Sequence, residues 1–221
     1  MKEQDVHTDI EIHKELDIKI GSVTLSGELV IPQDAQGIVL FSHGSGSSRF
    51  SPRNNYVARL FNSQKFGTFL FDLLTPDEDK DYNARFNITL LSNRLTGITE
   101  QMAENPITRD YPFGYFGAST GAASALNAAA NLPELIKAIV CRGGRPDLAM
   151  EALPSIEAPV LLIVGSLDAI VIKLNEKAFN ELHLLKQLEI IQGASHLFEE
   201  PGKLDEVADL SIKWFKKYLL D

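Results

Sequence analysis

Six short apolar runs, separated by stretches with helical spacing, limit the folds open to this 221-residue chain more than any other feature. Most of the runs are continuously apolar, as expected of strands that are buried on both faces. They are GIVLFSH at 37–43, GTFLFDL at 67–73, PFGYFGA at 112–118, IKAIVC at 136–141, PVLLIVG at 159–165 and QLEIIQ at 187–192. Strands alternating with helices in this way predict an α/β fold with an open, doubly wound, mostly parallel sheet.

Two helical stripes and a different N-terminal pattern complete this prediction. The stripes recur at the spacing of a helix face and consist of Ile88, Leu91, Leu95, Ile98 and Met102, and of Val207, Leu210, Trp214 and Tyr218. Residues 5–31 contain segments of near-alternating character, which predict antiparallel strands at the start. Since the chain has no repeat, low-complexity tract or linker, we expect residues 1–221 to form a single domain.

Composition makes several kinds of binding partner and site unfavourable. The net charge of −9 makes nucleic acid and anionic membranes unfavourable partners on electrostatic grounds. The single cysteine, Cys141, excludes an internal disulfide and a cysteine-based metal cluster. The charged N-terminal sequence lacks the apolar core of a signal peptide, and no stretch approaches membrane-spanning length. We therefore expect a cytoplasmic protein, while its oligomeric state stays open.

Ser119 follows the carboxyl end of a predicted strand, where doubly wound sheets bind their ligands. The run PFGYFGA leads into Gly-Ala-Ser-Thr-Gly at 117–121, and an alanine-rich helical segment comes next. This context is typical of the nucleophile elbow of α/β-hydrolases, in which strained backbone presents the serine oxygen to solvent. Gly117 and Gly121 must then be small, because the strand and the helix nearly touch. The alternative is a helix that uses small residues for close packing.

A serine nucleophile needs a base, and His196 is the candidate. In α/β-hydrolases the chain order is serine, then acid, then histidine. Three histidines precede the serine and are therefore in the wrong order: His7, His13 and His43. His183 falls in a segment with a helical pattern, whereas His196 lies in QGASHLFEE, directly after the last predicted strand. A loop histidine bonded to backbone is the alternative reading of His196.

Asp168 is the candidate for the carboxylate that orients the base. It follows PVLLIVG directly, at the carboxyl end of the penultimate strand. Asp147 is the alternative, although it lies several residues beyond the end of its strand. Asp72 precedes the serine, and we expect it to hold a loop in place.

Two backbone N–H groups are candidates for stabilising the oxyanion. One belongs to Thr120, the residue after the nucleophile, and the other to Ser45 in the loop His-Gly-Ser-Gly at 43–46. Gly44 lets this loop pass close to the substrate carbonyl, and His43 is expected to orient the loop. A phosphate-binding loop is the alternative, but the Gly-Lys-Ser/Thr ending of a P-loop is missing.

These motifs give the chain a resemblance to the dienelactone hydrolase family, from about residue 20 to the C-terminus. The resemblance is based on HGSG at 43–46, GASTG at 117–121, VGSLD at 164–168 and GASH at 193–196. It implies an α/β-hydrolase fold with Ser119 as nucleophile, Asp168 as acid and His196 as base, without a metal or cofactor. The dienelactone hydrolases use cysteine at the elbow, so this chain resembles a serine-nucleophile branch. The resemblance also implies that some relatives are joined to a phosphoribosyltransferase domain.

The expected activity is that of a carboxylesterase-like serine hydrolase acting on a small soluble ester. The serine puts lactone hydrolysis in doubt, and lactones and thioesters remain alternative substrates. An acyltransferase, perhydrolase or lyase could use the same triad, and a ligand-binding module without catalysis is a further alternative. Residues 142–158 have the length of an ordinary connection with one helix. We therefore expect an open, shallow site without a cap domain.

Four arginines in two loops indicate that the substrate carries a negative charge. Both loops follow predicted strands at the edge where Ser119 stands, and they contain Arg49, Arg53, Arg142 and Arg145. The planar guanidinium group suits bidentate binding of carboxylate or phosphate. The alternative is that these arginines pair with nearby acids such as Asp147.

Overall fold

The computed structural model of the protein describes residues 9–220, so His7 and the first residues of the predicted N-terminal strand segment lie outside it. Within that range the strands are β1 (Ile10–Ile20), β2 (Val23–Pro32), β3 (Gly37–Ser42), β4 (Phe66–Phe71), β5 (Phe113–Ala118), β6 (Ile136–Arg142), β7 (Val160–Gly165) and β8 (Lys186–Ile191). The α-helices are α1 (Pro52–Ser63), α2 (Tyr82–Arg85), α3 (Ile88–Glu104), α4 (Thr120–Asn131), α5 (Ala169–Glu181) and α6 (Lys203–Tyr218). Short 3₁₀ helices span Glu78–Lys80, Pro146–Ala149 and Leu153–Ser155.

The strands form one sheet in the order β1-β2-β4-β3-β5-β6-β7-β8. Neighbours from β4 to β8 are parallel, whereas β1 pairs with β2, and β2 with β4, in antiparallel fashion. The predicted doubly wound sheet with antiparallel N-terminal strands is thereby confirmed. Because parallel strands end at the same edge, the loops after β3, β5, β6, β7 and β8 meet there.

Helices cover the sheet on both faces, which explains the continuously apolar strands. Every residue of β3, β4, β5 and β7 is buried. Helices α3, α4 and α5 pack on one face, and α1 and α6 pack on the other. The second face holds an aromatic cluster in which ring centroids lie 4.9–5.6 Å apart, formed by Phe41, Phe61, Phe116 and Phe215. Burying each such side chain contributes roughly 1.5–3 kcal/mol.

The two predicted helical stripes are core faces. Asn87 caps the N-terminus of α3, since its Oδ1 accepts a hydrogen bond from the Leu90 N–H at 3.0 Å. Helix α3 buries Leu91, Leu95, Ile98 and Met102, while α6 buries Val207 and Trp214. Of the helices in the described range, none is both long and apolar enough to cross a membrane.

The connection between β6 and β7 differs from the expected single helix. Residues 142–158, which are all described, form two 3₁₀ helices and no α-helix. Proline limits an α-helix here, because Pro154 lacks the N–H that an interior helix position needs and would therefore interrupt a helix that begins at Pro146 and continues past it. This short connection holds no inserted cap domain, in agreement with the prediction.

Candidate active site

Ser119 lies at the sharp turn between β5 and α4. Its backbone has φ 52° and ψ −122°, and positive φ is uncommon for any residue other than glycine. It occupies the N-cap position of α4, yet its side chain makes no capping hydrogen bond. Within residues 9–220, Ser119 Oγ has no hydrogen-bond partner. The turn therefore presents an unengaged hydroxyl, which is the geometry predicted for a nucleophile elbow.

Three backbone hydrogen bonds hold this strained turn. The Ser119 N–H donates to the Arg142 carbonyl at 3.2 Å. The Ser119 carbonyl accepts from the Arg145 N–H at 2.9 Å and from the Ala122 N–H at 3.1 Å. The end of β6 and the loop after it therefore hold the serine backbone in place, and strain of this kind persists only where the surroundings over-determine it.

Close backbone contacts explain both glycines of the elbow. A Cβ on Gly117 would lie 2.6 Å from Ala122 Cα, so this glycine lets α4 approach its own strand. A Cβ on Gly121 would lie 2.1 Å from the Ser42 carbonyl oxygen. The second close approach is thus to β3, the neighbouring strand, rather than to β5.

His196 and Asp168 are hydrogen-bonded to each other. Nδ1 of His196 lies 2.6 Å from Oδ2 of Asp168. Because a carboxylate only accepts, this contact requires the proton on Nδ1 and leaves Nε2 as the basic nitrogen. His183 lies beyond the end of α5 rather than within a helix and is exposed, away from this pair.

The loops that carry the acid and the base are joined directly. Ser166 Oγ accepts a hydrogen bond from the Gly193 N–H at 2.8 Å, and the Leu167 N–H donates to the Ala194 carbonyl at 3.0 Å. A Cβ on Gly165 would lie 2.3 Å from that same carbonyl oxygen. These contacts bring the ends of β7 and β8 close enough for the acid to reach the base.

The two other candidate carboxylates have arginine partners. Both oxygens of Asp147 accept from Arg145, each at 2.8 Å. Asp72 accepts from the Arg49 N–H at 2.8 Å and from the Arg49 guanidinium. The structure therefore does not bring Asp147 to the base, and Asp72 ties the loop after β3 to the end of β4.

The loop predicted to stabilise the oxyanion lies against the nucleophile. A Cβ on Gly44 would lie 3.0 Å from Ser119 Cβ and 3.7 Å from its Oγ, so only glycine leaves this space open. The Thr120 N–H is the first amide of α4, a position without an intrahelical acceptor. The Ser45 N–H, in contrast, donates to Thr120 Oγ1 at 2.8 Å. The two predicted donors are adjacent, but one is engaged by the side chain of the other residue.

His43 anchors this loop from beneath. Its Nε2 accepts from the Leu73 N–H at 3.1 Å, which leaves Nδ1 to donate to the Gly44 carbonyl at 3.0 Å. Burial lowers the pKa of His43, so the side chain stays neutral. The neutral ring therefore connects the loop after β3 to Leu73, two residues beyond the end of β4.

A cavity of about 220 Å³ lies over these groups. It is lined by Gly44, Ser45, Ser119, His196, Arg53 and Arg142, among others. Of the four arginines predicted to bind substrate, the structure brings Arg53 and Arg142 to the cavity. It does not bring Arg49 and Arg145 there, and both are paired with carboxylates.

Asn54 also lines the cavity, although the sequence does not identify it as a site residue. Its Oδ1 accepts from Arg142 Nη2 at 3.0 Å, although the two residues are far apart in the chain. A polar residue in the first turn of a helix normally indicates capping, so no local signal pointed to this contact.

Cys141 lies in the core of the sheet. Its side chain is fully buried, and burial raises the pKa of the thiol to about 12. It therefore serves as a small buried apolar residue. Within residues 9–220, no three His, Cys, Asp or Glu side chains are grouped so as to hold a metal ion.

Comparisons with solved structures identify close relatives of this fold. The dienelactone hydrolase from Anabaena variabilis ATCC 29413 has a TM-score of 0.91 and 52% sequence identity, covering 94% of this chain and 98% of that one. Est1E from Butyrivibrio proteoclasticus has a TM-score of 0.79 at 14% identity, covering 92% and 98% of the two chains. At that identity the likeness concerns the fold alone.

Sequence comparison gives the family. Two Mycobacterium tuberculosis proteins, from strains CDC 1551 and H37Rv, are 48% identical over 206 residues, or 93% of this chain. Both are named, provisionally, as phosphoribosyl transferases, and the chain spans about half their length (46%). The sequence model of the dienelactone hydrolase family matches residues 26–218. The chain therefore belongs to the dienelactone hydrolase family, with the α/β-hydrolase fold.

Proposed function

We propose that this chain is a serine hydrolase that cleaves a small soluble ester through an acyl-enzyme on Ser119. One observation carries the proposal. The unengaged hydroxyl of Ser119 and the imidazole of His196, whose Nδ1 is 2.6 Å from Asp168, line the same cavity. A nucleophile, a base and a carboxylate that orients the base are the parts that acyl transfer requires.

In the first half of the reaction, Ser119 Oγ attacks the carbonyl carbon while His196 Nε2 takes the hydroxyl proton. Asp168 holds the proton on Nδ1 and stabilises the imidazolium that forms. The tetrahedral intermediate then collapses, and His196 returns the proton to the leaving alcohol. The hydrogen bond between Oγ and Nε2, which is not formed in the free protein, is expected to form once substrate is bound.

In the second half of the reaction, water enters the site that the alcohol has left and hydrolyses the acyl-enzyme. His196 Nε2 takes a proton from the water, whose oxygen attacks the acyl carbon. The new intermediate expels Ser119 Oγ, which recovers its proton from His196, and the carboxylic acid leaves. The serine and the imidazole end the cycle in their starting states.

Each tetrahedral intermediate carries an oxyanion, for which we propose the N–H groups of Thr120 and Ser45 as donors. The Ser45 N–H is bonded to Thr120 Oγ1 in the free protein. Substrate binding must therefore turn this amide toward the oxyanion or divide it between two acceptors. While the Ser45 N–H is bonded to Thr120 Oγ1, this hydrogen bond keeps the loop after β3 in place. The oxyanion that forms during the reaction is charged and is therefore the stronger acceptor.

The names of the relatives support hydrolysis more directly than phosphoribosyl transfer. The structural relative at 52% identity is a dienelactone hydrolase and aligns along 98% of its length. The proteins named as phosphoribosyl transferases align along only 46% of theirs. The residues grouped in this cavity support acyl transfer, and we assign no phosphoribosyl transferase activity to this chain.

A fluorophosphonate probe tests the proposal, because it phosphonylates activated serines. We expect one label per chain, located on Ser119 by peptide mass spectrometry, and hydrolysis of 4-nitrophenyl acetate or butyrate. Ser119→Ala and His196→Ala should each lower kcat by on the order of 10⁶ if chemistry limits the rate. The control is Ser63→Ala, a serine outside the cavity, whose Oγ donates to the Leu60 carbonyl.

Two results would contradict the proposal. A folded protein that neither takes up the probe nor turns over any ester would be a ligand-binding module. Labelling of Ser119 without release of acid from esters, thioesters or lactones would indicate an acyl acceptor other than water, and hence an acyltransferase.

A further inference from the structure

Arg142 is a buried cation without a carboxylate partner. It ends β6, and only 6% of the residue is exposed. Within residues 9–220, its one side-chain hydrogen bond runs from Nη2 to Asn54 Oδ1, at 3.0 Å, and no carboxylate is within ion-pair distance. Nε is enclosed and has no acceptor among the described residues. A guanidinium has five N–H donors, so most of the hydrogen-bonding capacity of Arg142 is unused.

Arg53 is the second cation of the same cavity. Its Nη1 donates to Glu199 Oε1 at 2.5 Å, and the Glu199 side chain is 59% exposed. An exposed carboxylate is well solvated and neutralises its partner only weakly. Nε of Arg53 is also enclosed, and it has no acceptor in the part of the chain that the structure describes.

The two guanidinium groups repel each other. Burial, and secondly the charge of Arg53, lowers the pKa of Arg142 to about 10, so the Arg142 guanidinium stays charged at neutral pH. A buried charge without a counter-charge is destabilising. The one carboxylate at this pair of cations, Glu199, is exposed and contacts only Arg53, which leaves a local excess of positive charge in a chain whose net charge is −9. An anion in the cavity would remove this excess.

We propose that Arg142 and Arg53 bind an anionic group, a carboxylate or a phosphate, on the substrate of this enzyme. The site is close to the reaction centre, because the Ser119 N–H donates to the Arg142 carbonyl at 3.2 Å. Both side chains line the cavity that contains Ser119 and His196. Asn54 fixes one side of the Arg142 fork, which leaves the other donors for bidentate contact with an oxyanion. The inference depends on the proposed hydrolase function, since it names the class of ester.

Three 4-nitrophenyl esters test the inference: the neutral pentanoate, the glutarate monoester that ends in a carboxylate, and the 3-phosphooxypropanoate that ends in a phosphate. We expect kcat/KM to be at least tenfold higher for one or both anionic esters than for the neutral one. Arg142→Gln and Arg53→Gln should each reduce this ratio by about 10- to 100-fold, the size of a charge-assisted hydrogen bond. Arg145→Gln is the matched control, because its side chain pairs with Asp147 and does not line the cavity.

Glu199→Gln should act in the opposite direction. The substitution releases Arg53 Nη1 and removes a negative charge, so the preference for the anionic ester should rise by roughly three- to tenfold. Glu199 is exposed, so this variant is expected to fold even if Arg142→Gln does not. A loss of preference in Glu199→Gln would contradict the proposed role of Arg53.

A binding experiment separates this inference from the proposed function. Calorimetric titration of Ser119→Ala with glutarate, and separately with inorganic phosphate, should give saturable binding that Arg142→Gln or Arg53→Gln abolishes. If no ester is hydrolysed but an anion binds in this way, the proposed hydrolase function is contradicted and the proposed anion site is supported. If the neutral ester reacts as fast as both charged ones and neither anion binds, the anion site is overturned and the function stands.

Discussion

Ser119 and Asp168 both occupy helix N-cap positions, and neither side chain caps its helix. Serine and aspartate are favoured at N-caps because their oxygens accept from the first free amides, which stabilises a helix by about 1 kcal/mol. Here the serine oxygen faces the cavity, and the aspartate binds His196. Departures from a local rule are expected at functional sites, where the residues serve another purpose. The two N-cap residues whose side chains do not cap a helix are thus the proposed nucleophile and the proposed acid.

Asp168 and Asp147 offer a direct comparison of two carboxylates. Asp168→Asn should lower kcat by on the order of 10⁴, because an amide in that position favours the wrong tautomer of His196. Asp147→Asn should stay within a few-fold of wild type, since its carboxylate pairs with Arg145. Steady-state kinetics on 4-nitrophenyl butyrate, with thermal unfolding to confirm folding, measures both. The opposite order of damage would move the role of the acid to Asp147.

Among elements, the turn between β5 and α4 could be predicted in most detail. Gly117, Ser119 and Gly121 have narrow steric requirements, so their spacing between a predicted strand and a predicted helix indicated a strained turn with close packing. The strands could be placed to within one or two residues because burial on both faces leaves a continuous apolar signal.

Other features were settled by tertiary contacts that no local pattern contains. The Arg142–Asn54 contact depends on which elements meet at the sheet edge. The same is true of the division of the four arginines into two that line the cavity and two that pair with carboxylates. The engagement of the Ser45 N–H by Thr120 Oγ1 joins two loops that are far apart in the chain. Long polar side chains reach partners several ångströms away, so their pairing is not a property of sequence spacing.

Gly121 tests how tightly the elements are packed at the elbow. Gly121→Ala places a Cβ at 2.1 Å from a backbone oxygen of Ser42, so α4 must shift away from β3. We expect a loss of at least about 3 kcal/mol in the free energy of unfolding, at the upper end of overpacking effects, measured by urea titration. Gly97→Ala in α3 is the control, because its Cβ would meet only the side chain of Ile20, at 3.1 Å. That variant should change stability by about 1 kcal/mol or less. Equal effects of the two substitutions would contradict this packing argument.

For the whole molecule, strand order determines which residues meet. Residues 44, 119, 142, 168 and 196 are spread over most of the chain, yet each lies at the carboxyl end of β3, β5, β6, β7 or β8. These strands are adjacent in the sheet, so a single edge collects all five residues. Hydrogen bonds between these loops hold them in place. A change in one side chain that breaks such a bond should therefore lower the stability of the whole fold.

His43 gives this coupling a pH dependence. An unfolded histidine takes up a proton near its ordinary pKa of 6.5, whereas burial lowers the pKa of His43 in the folded protein. Between the two values the unfolded state binds more protons, and stability then rises with pH. The contribution of His43 to stability is therefore fully present above about pH 6.5 and decreases as the pH falls below that value.

We expect the urea midpoint of wild type to decrease from pH 7.5 to pH 5.5. His43→Gln should be less stable at pH 7.5 but should lose less on acidification, while His183→Gln, which alters an exposed residue, should follow wild type. Equal pH slopes for His43→Gln and wild type would show that the ring of His43 does not control the acid sensitivity of the fold.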